Sequence, residues 1–153
     1  MGTIKMVENI KLEDALQLCE WTNERGADFM DQWMGPRISY PLTPEKVLKL
    51  EGAYSIYDDN EFIGMVQNVM SENNDVHIGR FIINPEKTGQ GFGFKAITEL
   101  EKIIFADETI ESISLNVLDR NKPALRLYNK LGFIITDTKE DGLKVHKMKK
   151  FRK

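Results

Sequence analysis

The chain has 153 residues, 41% of them hydrophobic and 29% charged, which is the length of one ordinary globular domain with enough apolar material for a core and too little net charge to force disorder. A formal net charge of -3 with a pI near 5.5 offers no basic field to phosphate polymers, so nucleic acid is not expected as a partner. The single cysteine, Cys19, excludes an intrachain disulfide and a multi-cysteine metal site.

The start, MGTIKMVENI, lacks the basic flank and apolar stretch of a signal peptide. No window approaches the ~20 apolar residues of a membrane span. Met6 stands where a myristoylation motif beginning at Met1-Gly2 needs Ser or Thr. The expectation is a soluble cytoplasmic protein with no membrane partner; monomer and homodimer both stay open.

No repeat, low-complexity tract or linker interrupts the chain, so residues 1–153 read as one domain. A first strand is expected at Thr3–Val7, then a helix with Leu12, Ala15, Leu16 and Cys19 on one face and Glu13 and Asp14 in its first turn. Phe29, Met30, Trp33 and Met34 form a short apolar cluster ended by Gly35-Pro36. Thr43-Pro44-Glu45 has the pattern of a capped helix start.

From Ala53 the period changes to strands. Tyr54–Tyr57 and Phe62–Met70 read as an antiparallel hairpin across Asp58-Asp59-Asn60. After a turn at Ser71-Glu72-Asn73-Asn74, the strand Val76–Ile83 stops at Asn84-Pro85. A glycine-rich turn then leads into an amphipathic helix with Ala96, Ile97, Leu100, Ile103 and Ile104 inward.

Ile113–Leu118 is an apolar strand, and Pro123–Leu131 reads as a helix closed by Gly132. Strands at Phe133–Thr138 and Leu143–Met148 flank a turn at Asp141-Gly142. This order predicts an α/β chain with a mixed sheet and helices packed on it. The basic tail (Lys147, Lys149, Lys150, Arg152 and Lys153) reads as a solvated edge strand and its fray.

Gly89, Gly91 and Gly93 alternate where a strand hands over to a helix. Glycine permits the tight turn and leaves backbone N–H groups bare at the positive end of the helix, which makes an anion site suited to pyrophosphate. A structural turn with close helix packing would use the same glycines. Gly91-x-Gly93-x-x-Ala96 also fits the dinucleotide fingerprint, but a hairpin precedes it and no further βαβ units follow. It is not a P-loop, since no Gly-Lys-Ser or Gly-Lys-Thr follows the turn.

The second half supplies Asn121, Ala124, Leu127-Tyr128 and Gly132-Phe133 after a strand. This pattern resembles the C-terminal signature of the GNAT superfamily of N-acetyltransferases, and Ile83-x-Pro85 followed by Thr88-x-x-Gly91-x-Gly93 resembles that superfamily's coenzyme A loop. The two motifs stand in the family's order with one helix between them. The resemblance implies a mixed, mostly antiparallel sheet of about seven strands with about four helices. It also implies acetyl-coenzyme A as cosubstrate and an amine acceptor.

By the same resemblance, Gly89, Gln90, Gly91, Phe92, Gly93 and Phe94 would hold the pyrophosphate. Backbone groups of Phe81, Ile82 and Ile83 would bond the pantetheine and polarise the carbonyl. Thr88 is a departure, because the loop's first position is usually Gln or Arg; binding through backbone N–H groups would then carry the loop's role. Asn121 would contact the pantetheine arm, and an N-cap role is compatible with that. Tyr128 shares a helical face with Ala124, Leu125 and Leu131, as a core aromatic would, but the resemblance makes it the general acid to the thiolate.

An amine that attacks a thioester must lose its proton, since a free alkylamine has a pKa of roughly 10. In many members of the family the base is a glutamate eleven residues ahead of the loop. That place here holds His77, whose ordinary pKa of about 6.5 suits proton removal near neutrality. A passive strand histidine is the alternative, and Glu72, Asp75 or a water chain are reserve candidates. His77 and His146 have no paired spacing with carboxylates, so no metal is expected.

The family shapes its acceptor site from the first helices and last strands. Here Trp21, Phe29, Trp33 and Tyr40 with Glu24, Asp28 and Asp31 would form either an aromatic and acidic wall for a cationic amine or simply core aromatics and a wet helix face. A small amine and a peptide or protein N-terminus both stay open as acceptors. Two rival functions share these motifs: a non-catalytic acetyl-coenzyme A sensor on the same fold, and a Rossmann-type module binding NAD.

Overall fold

A computed structural model describes residues 2–153. The elements are β1 (Ile4–Glu8), α1 (Leu12–Asn23), α2 (Ala27–Met34), α3 (Pro44–Leu48), β2 (Ala53–Asp58), β3 (Glu61–Glu72), β4 (Asp75–Ile83), α4 (Phe92–Phe105), β5 (Ser112–Leu118), α5 (Lys122–Lys130), β6 (Ile134–Asp141) and β7 (Leu143–Phe151). A single 3-10 turn, Pro85–Lys87, joins β4 to the glycine loop. The seven strands form one sheet in the order β1-β2-β3-β4-β5-β7-β6. Every neighbouring pair is antiparallel except β4 and β5. A Rossmann module needs a mostly parallel doubly wound sheet, and one parallel pair removes that reading.

Five helices pack on the sheet where about four were expected, because the Phe29–Met34 cluster is a helix of its own with Met30, Trp33 and Met34 buried. One core lies under α1, α2 and α3, joining Leu18, Trp21, Met30 and Val47 to Met65 and Ile82 of the sheet. The other lies under α4 and α5, joining Ala96, Ile97, Leu100, Tyr128 and Leu131 to Val76, Ile83, Ile113 and Val117.

The inward face of α1 is rotated from the expected one. Asp14, Ala15, Leu18 and Cys19 are buried while Leu12 and Leu16 are exposed. The buried stripe runs through Asp14, whose carboxylate accepts from the hydroxyls of Ser55 (3.0 Å) and Tyr57, so apolar spacing alone misphases the helix. In α4, Ala96, Ile97, Leu100 and Ile104 point inward as expected, but Ile103 is exposed and Glu101 takes an inward place.

The basic tail is not at the edge. β7 lies between β5 and β6, paired with β5 from Ser112↔Phe151 to Leu118↔Val145, and β6 is the exposed edge strand. Lys150 is ion-paired with Glu101. Arg152 donates to the carbonyls of Phe105 (2.9 Å), Asp107 (2.8 Å) and Ile110 (2.8 Å). These cations close the end of α4, where orphan carbonyls carry the negative end of the helix dipole.

Candidate active site

β4 and β5 are paired only at Asp75↔Ser112, Val76↔Ile113 and His77↔Ser114. Beyond His77 the two strands part. The cause is a bulge in β4: Met65 faces Ile82 and Gln67 faces Gly79, so Arg80 and Phe81 together oppose Val66. Arg80 has φ +45, a left-handed conformation strained for any side chain but glycine. Its guanidinium holds it there, with Nε donating to the Met34 carbonyl (2.7 Å) and Nη1 to Gln67 Oε1 (3.0 Å). Phe81, Ile82 and Ile83 all lie on the stretch that faces the opening. Ile82 is buried in the core under α1–α3 and Ile83 in the core under α4 and α5.

The glycine loop sits at one end of this opening. Asn84 caps the 3-10 turn, its Oδ1 accepting from Glu86 N–H (3.0 Å). Gly89 and Gly91 have φ of +78 and +88, so the chain needs glycine at both to enter α4. Gly93 has a different job: a Cβ there would lie 3.3 Å from Leu127 Cδ2 and 3.7 Å from the Phe81 ring. It lets α4 close onto α5 and β4. The first internal bond of α4 is Lys95 N–H to the Gly91 carbonyl (3.2 Å), so the amides of Phe92, Gly93 and Phe94 are the helix's orphan donors.

Thr88 and Gln90 are exposed, and both side chains clip the loop to itself. Thr88 Oγ1 donates to the Pro85 carbonyl (3.2 Å), and Gln90 Nε2 donates to the Glu86 carbonyl (3.4 Å). The bare donors the loop presents are therefore those of its backbone.

On the far side of the opening, Asn121 caps α5 through Oδ1, which accepts from Ala124 N–H (3.3 Å). Its amide nitrogen is left over for a ligand. Tyr128 lies two turns along, 8% exposed, edge-on to Phe133 at 5.6 Å. It belongs to the same core cluster as Ile83, Phe92 and Val117. Burial alone pushes its hydroxyl pKa up, with no hydrogen bond contributing, so the phenol stays protonated through neutral pH.

His77 emerges on the opposite face of the sheet. Its strand neighbours Val76 and Ile78 point into the core under α4, so alternation turns His77 towards the α1–α3 side. Its Nδ1 lies 2.8 Å from Ser114 Oγ. Ser114 Oγ donates to Asp75 Oδ2 (2.5 Å), and Ser112 Oγ donates to Asp75 Oδ1 (2.6 Å). Burial lowers the His77 pKa, with Asp75 acting against it and Lys147 in the same sense, so the ring is neutral at pH 7. Of the reserve bases, Asp75 has both oxygens occupied and Glu72 is exposed at the hairpin end.

A cavity of about 230 Å³ beside His77 is lined also by Asn116, Asp137, Lys139, Val145 and Lys147. Ser114, Asn116 and Arg80 were not singled out from the sequence. For the first two a signal existed, since Ser112, Ser114 and Asn116 alternate with Ile113, Leu115 and Val117. The aromatic and acidic wall does not form. Trp21 is stacked on Phe62 at 5.4 Å and Trp33 donates to Thr22 Oγ1 (3.2 Å), both as core residues. Glu24 is paired with Arg25 (3.8 Å), and Tyr40 donates to the Asn23 carbonyl (3.2 Å).

Burial pushes the Cys19 thiol up to about 11, so it is no nucleophile at neutral pH. Among the described residues no group of three His, Cys, Asp or Glu side chains is placed to hold a metal ion. Among the described residues no helix is long and apolar enough to cross a membrane. A larger open groove of about 600 Å³ between α5 and the β6–β7 hairpin contains none of the predicted site residues.

A sheet opened between two parallel strands, beside a glycine-lined helix N-terminus, offers a cleft for an extended ligand and bare backbone donors for an anion. Residues 16–133 match the acetyltransferase (GNAT) family. The fold is shared with a GNAT-family acetyltransferase from Bacillus anthracis (TM-score 0.81, 15% identity, 97% of this chain and 94% of that one). It is shared with a spermidine N-acetyltransferase from Vibrio cholerae solved with coenzyme A and spermine (TM-score 0.78, 19% identity, 97% and 95%). An aminoglycoside acetyltransferase in complex with coenzyme A is also similar (TM-score 0.75, 21% identity, 98% and 95%). The chain belongs to the GNAT acetyltransferase family, and acetyl-coenzyme A is its cosubstrate.

Proposed function

We propose that the chain, acting as one cytoplasmic domain, transfers the acetyl group of acetyl-coenzyme A to a primary amine by direct attack of the amine on the thioester. One observation supports this reading: Tyr128 belongs to the core on the α4–α5 face of the sheet, while His77, at the last β4–β5 pair, alternates to the other face. A thioester lying in that opening offers its carbonyl to an amine on the His77 side and its sulfur to the Tyr128 side. The neutral His77 removes the amine proton, and the protonated Tyr128 returns one to the leaving sulfur. The amides of Phe92–Phe94 hold the pyrophosphate, the β4 backbone from Phe81 to Ile83 bonds the pantetheine arm, and the Asn121 amide contacts it.

Thermal denaturation with acetyl-coenzyme A, coenzyme A, NAD and ATP tests the cosubstrate. A ligand at 100 times its dissociation constant adds about 2.7 kcal/mol of stability, and the two coenzyme A forms are expected to give that shift. Stabilisation by NAD alone would overturn the reading. Release of free thiol on adding an amine then reports turnover and separates an enzyme from a sensor.

The cavity beside His77 supports an acceptor that carries an anionic group as well as its amine. Lys139 and Lys147 face it against one carboxylate, Asp137, so a second positive charge on the acceptor is disfavoured. Four-carbon amines test this, since 1,4-diaminobutane and 4-aminobutyrate share an aminopropyl chain and end in an ammonium and a carboxylate respectively. We expect kcat/KM to favour 4-aminobutyrate by about tenfold, or ~1.4 kcal/mol. A preference for the diamine overturns the anionic assignment and leaves acetyl transfer standing.

A further inference from the structure

We infer that Asp75, acting through Ser114, is a positioning residue that holds His77 as its Nδ1–H tautomer and so makes Nε2 the atom that takes the proton from the acceptor amine. The inference rests on the reading of His77 as base. It starts from the direction of the hydrogen bonds. Ser114 has one hydroxyl hydrogen, and its oxygen lies 2.5 Å from Asp75 Oδ2 and 2.8 Å from His77 Nδ1. A carboxylate can only accept, so the hydroxyl hydrogen belongs to the Asp75 bond. Ser114 Oγ is then an acceptor towards His77, and the hydrogen in that bond must sit on Nδ1.

The opposite tautomer would turn the Ser114 hydrogen to Nδ1 and leave two oxygen acceptors 2.5 Å apart with no hydrogen between them. Ser112, at 2.6 Å, bonds the other Asp75 oxygen, so Oδ2 is the oxygen that faces Ser114. With Nδ1 occupied, Nε2 holds the ring's lone pair, and among the described residues no side chain bonds it. The same chain stabilises the imidazolium once formed, since the bond from Nδ1–H to Ser114 is kept in both protonation states.

The charged groups around the ring are Asp75 on its own strand, Lys147 on β7, and Asp137 and Lys139 on β6, with the neutral Asn116 on β5 completing the cavity. Only Asp75 is linked to the ring through a hydrogen-bonded bridge. In the reaction the N–C bond forms as the amine proton passes to Nε2. The C–S bond breaks, and the sulfur takes the Tyr128 proton.

Two-bond 1H–15N correlation spectra of the imidazole ring test the tautomer in the unaltered protein. Above its pKa, His77 should show a protonated Nδ1 and an unprotonated Nε2; a protonated Nε2 overturns the proposal with no variant needed. Asp75→Ala and Ser114→Ala should each abolish the single tautomer and lower kcat/KM about a hundredfold, with the KM for acetyl-coenzyme A unchanged. Ser112→Ala removes a neighbouring bond to the same carboxylate and should keep the tautomer, which a merely structural role for Asp75 would not predict. If the tautomer is unmoved in Asp75→Ala, the relay is overturned. If the tautomer moves while turnover does not, His77 is not the base and the catalytic part falls.

Discussion

Tyr128→Phe is expected to lower kcat about a hundredfold while coenzyme A affinity and thermal stability stay close to wild type. The effect follows from where the phenol sits. Its ring packs edge-on against Phe133 in the core shared with Ile83, Phe92 and Val117, and phenylalanine fills that place equally well. Among the described residues its hydroxyl has no hydrogen-bond partner, so removing it orphans none of them.

The phenol is a proton held ready: it is protonated at neutral pH, and burial moves its pKa further up. Titration calorimetry with coenzyme A and a thiol-release assay separate binding from turnover. Full turnover in the phenylalanine protein would remove Tyr128 as the acid, and a large loss of affinity would make it a binding residue.

The parts of this site that were legible in the sequence are the parts that act through local chemistry. Gly89 and Gly91 stand out because left-handed backbone needs glycine, and Asn121 because an N-cap needs an acceptor side chain. Arg80 carried no such sign. Its left-handed backbone is imposed by bonds to Met34 and Gln67, which are 46 and 13 residues away, and long side chains at that conformation have no sequence signature. Yet the bulge it anchors is what parts β4 from β5.

The placement of β7 inside β6 was equally hidden. A hairpin reads the same from either side, and only the tertiary pairing with β5 decides which strand lies inward. Gly93 was legible as a glycine and not as to purpose, since its contacts come from α5 and β4. The wall of aromatics near Trp21 and Trp33 shows the converse: the residues were visible, but a spacing that buries a ring in a core also fits a ring lining a cleft.

His77→Gln should remove the acid limb of the kcat/KM profile. The sign follows from the lowered pKa. Burial makes the charged imidazolium unfavourable and Lys147 adds to this, so wild-type His77 is neutral at pH 7 and protonates only as pH falls below the ordinary 6.5. The base is lost on that descent. Wild-type kcat/KM is therefore expected to be flat near neutrality and to fall tenfold per pH unit below the lowered pKa. Glutamine keeps a polar group of similar reach opposite Ser114 but takes up no proton, so its rate should be about a hundredfold lower at pH 7 and should not fall along that limb. Rates measured from pH 5 to 9 with saturating acetyl-coenzyme A read both features together. A glutamine protein that keeps the wild-type limb would place the titrating group elsewhere, and one that keeps the wild-type rate would leave the amine to lose its proton to water.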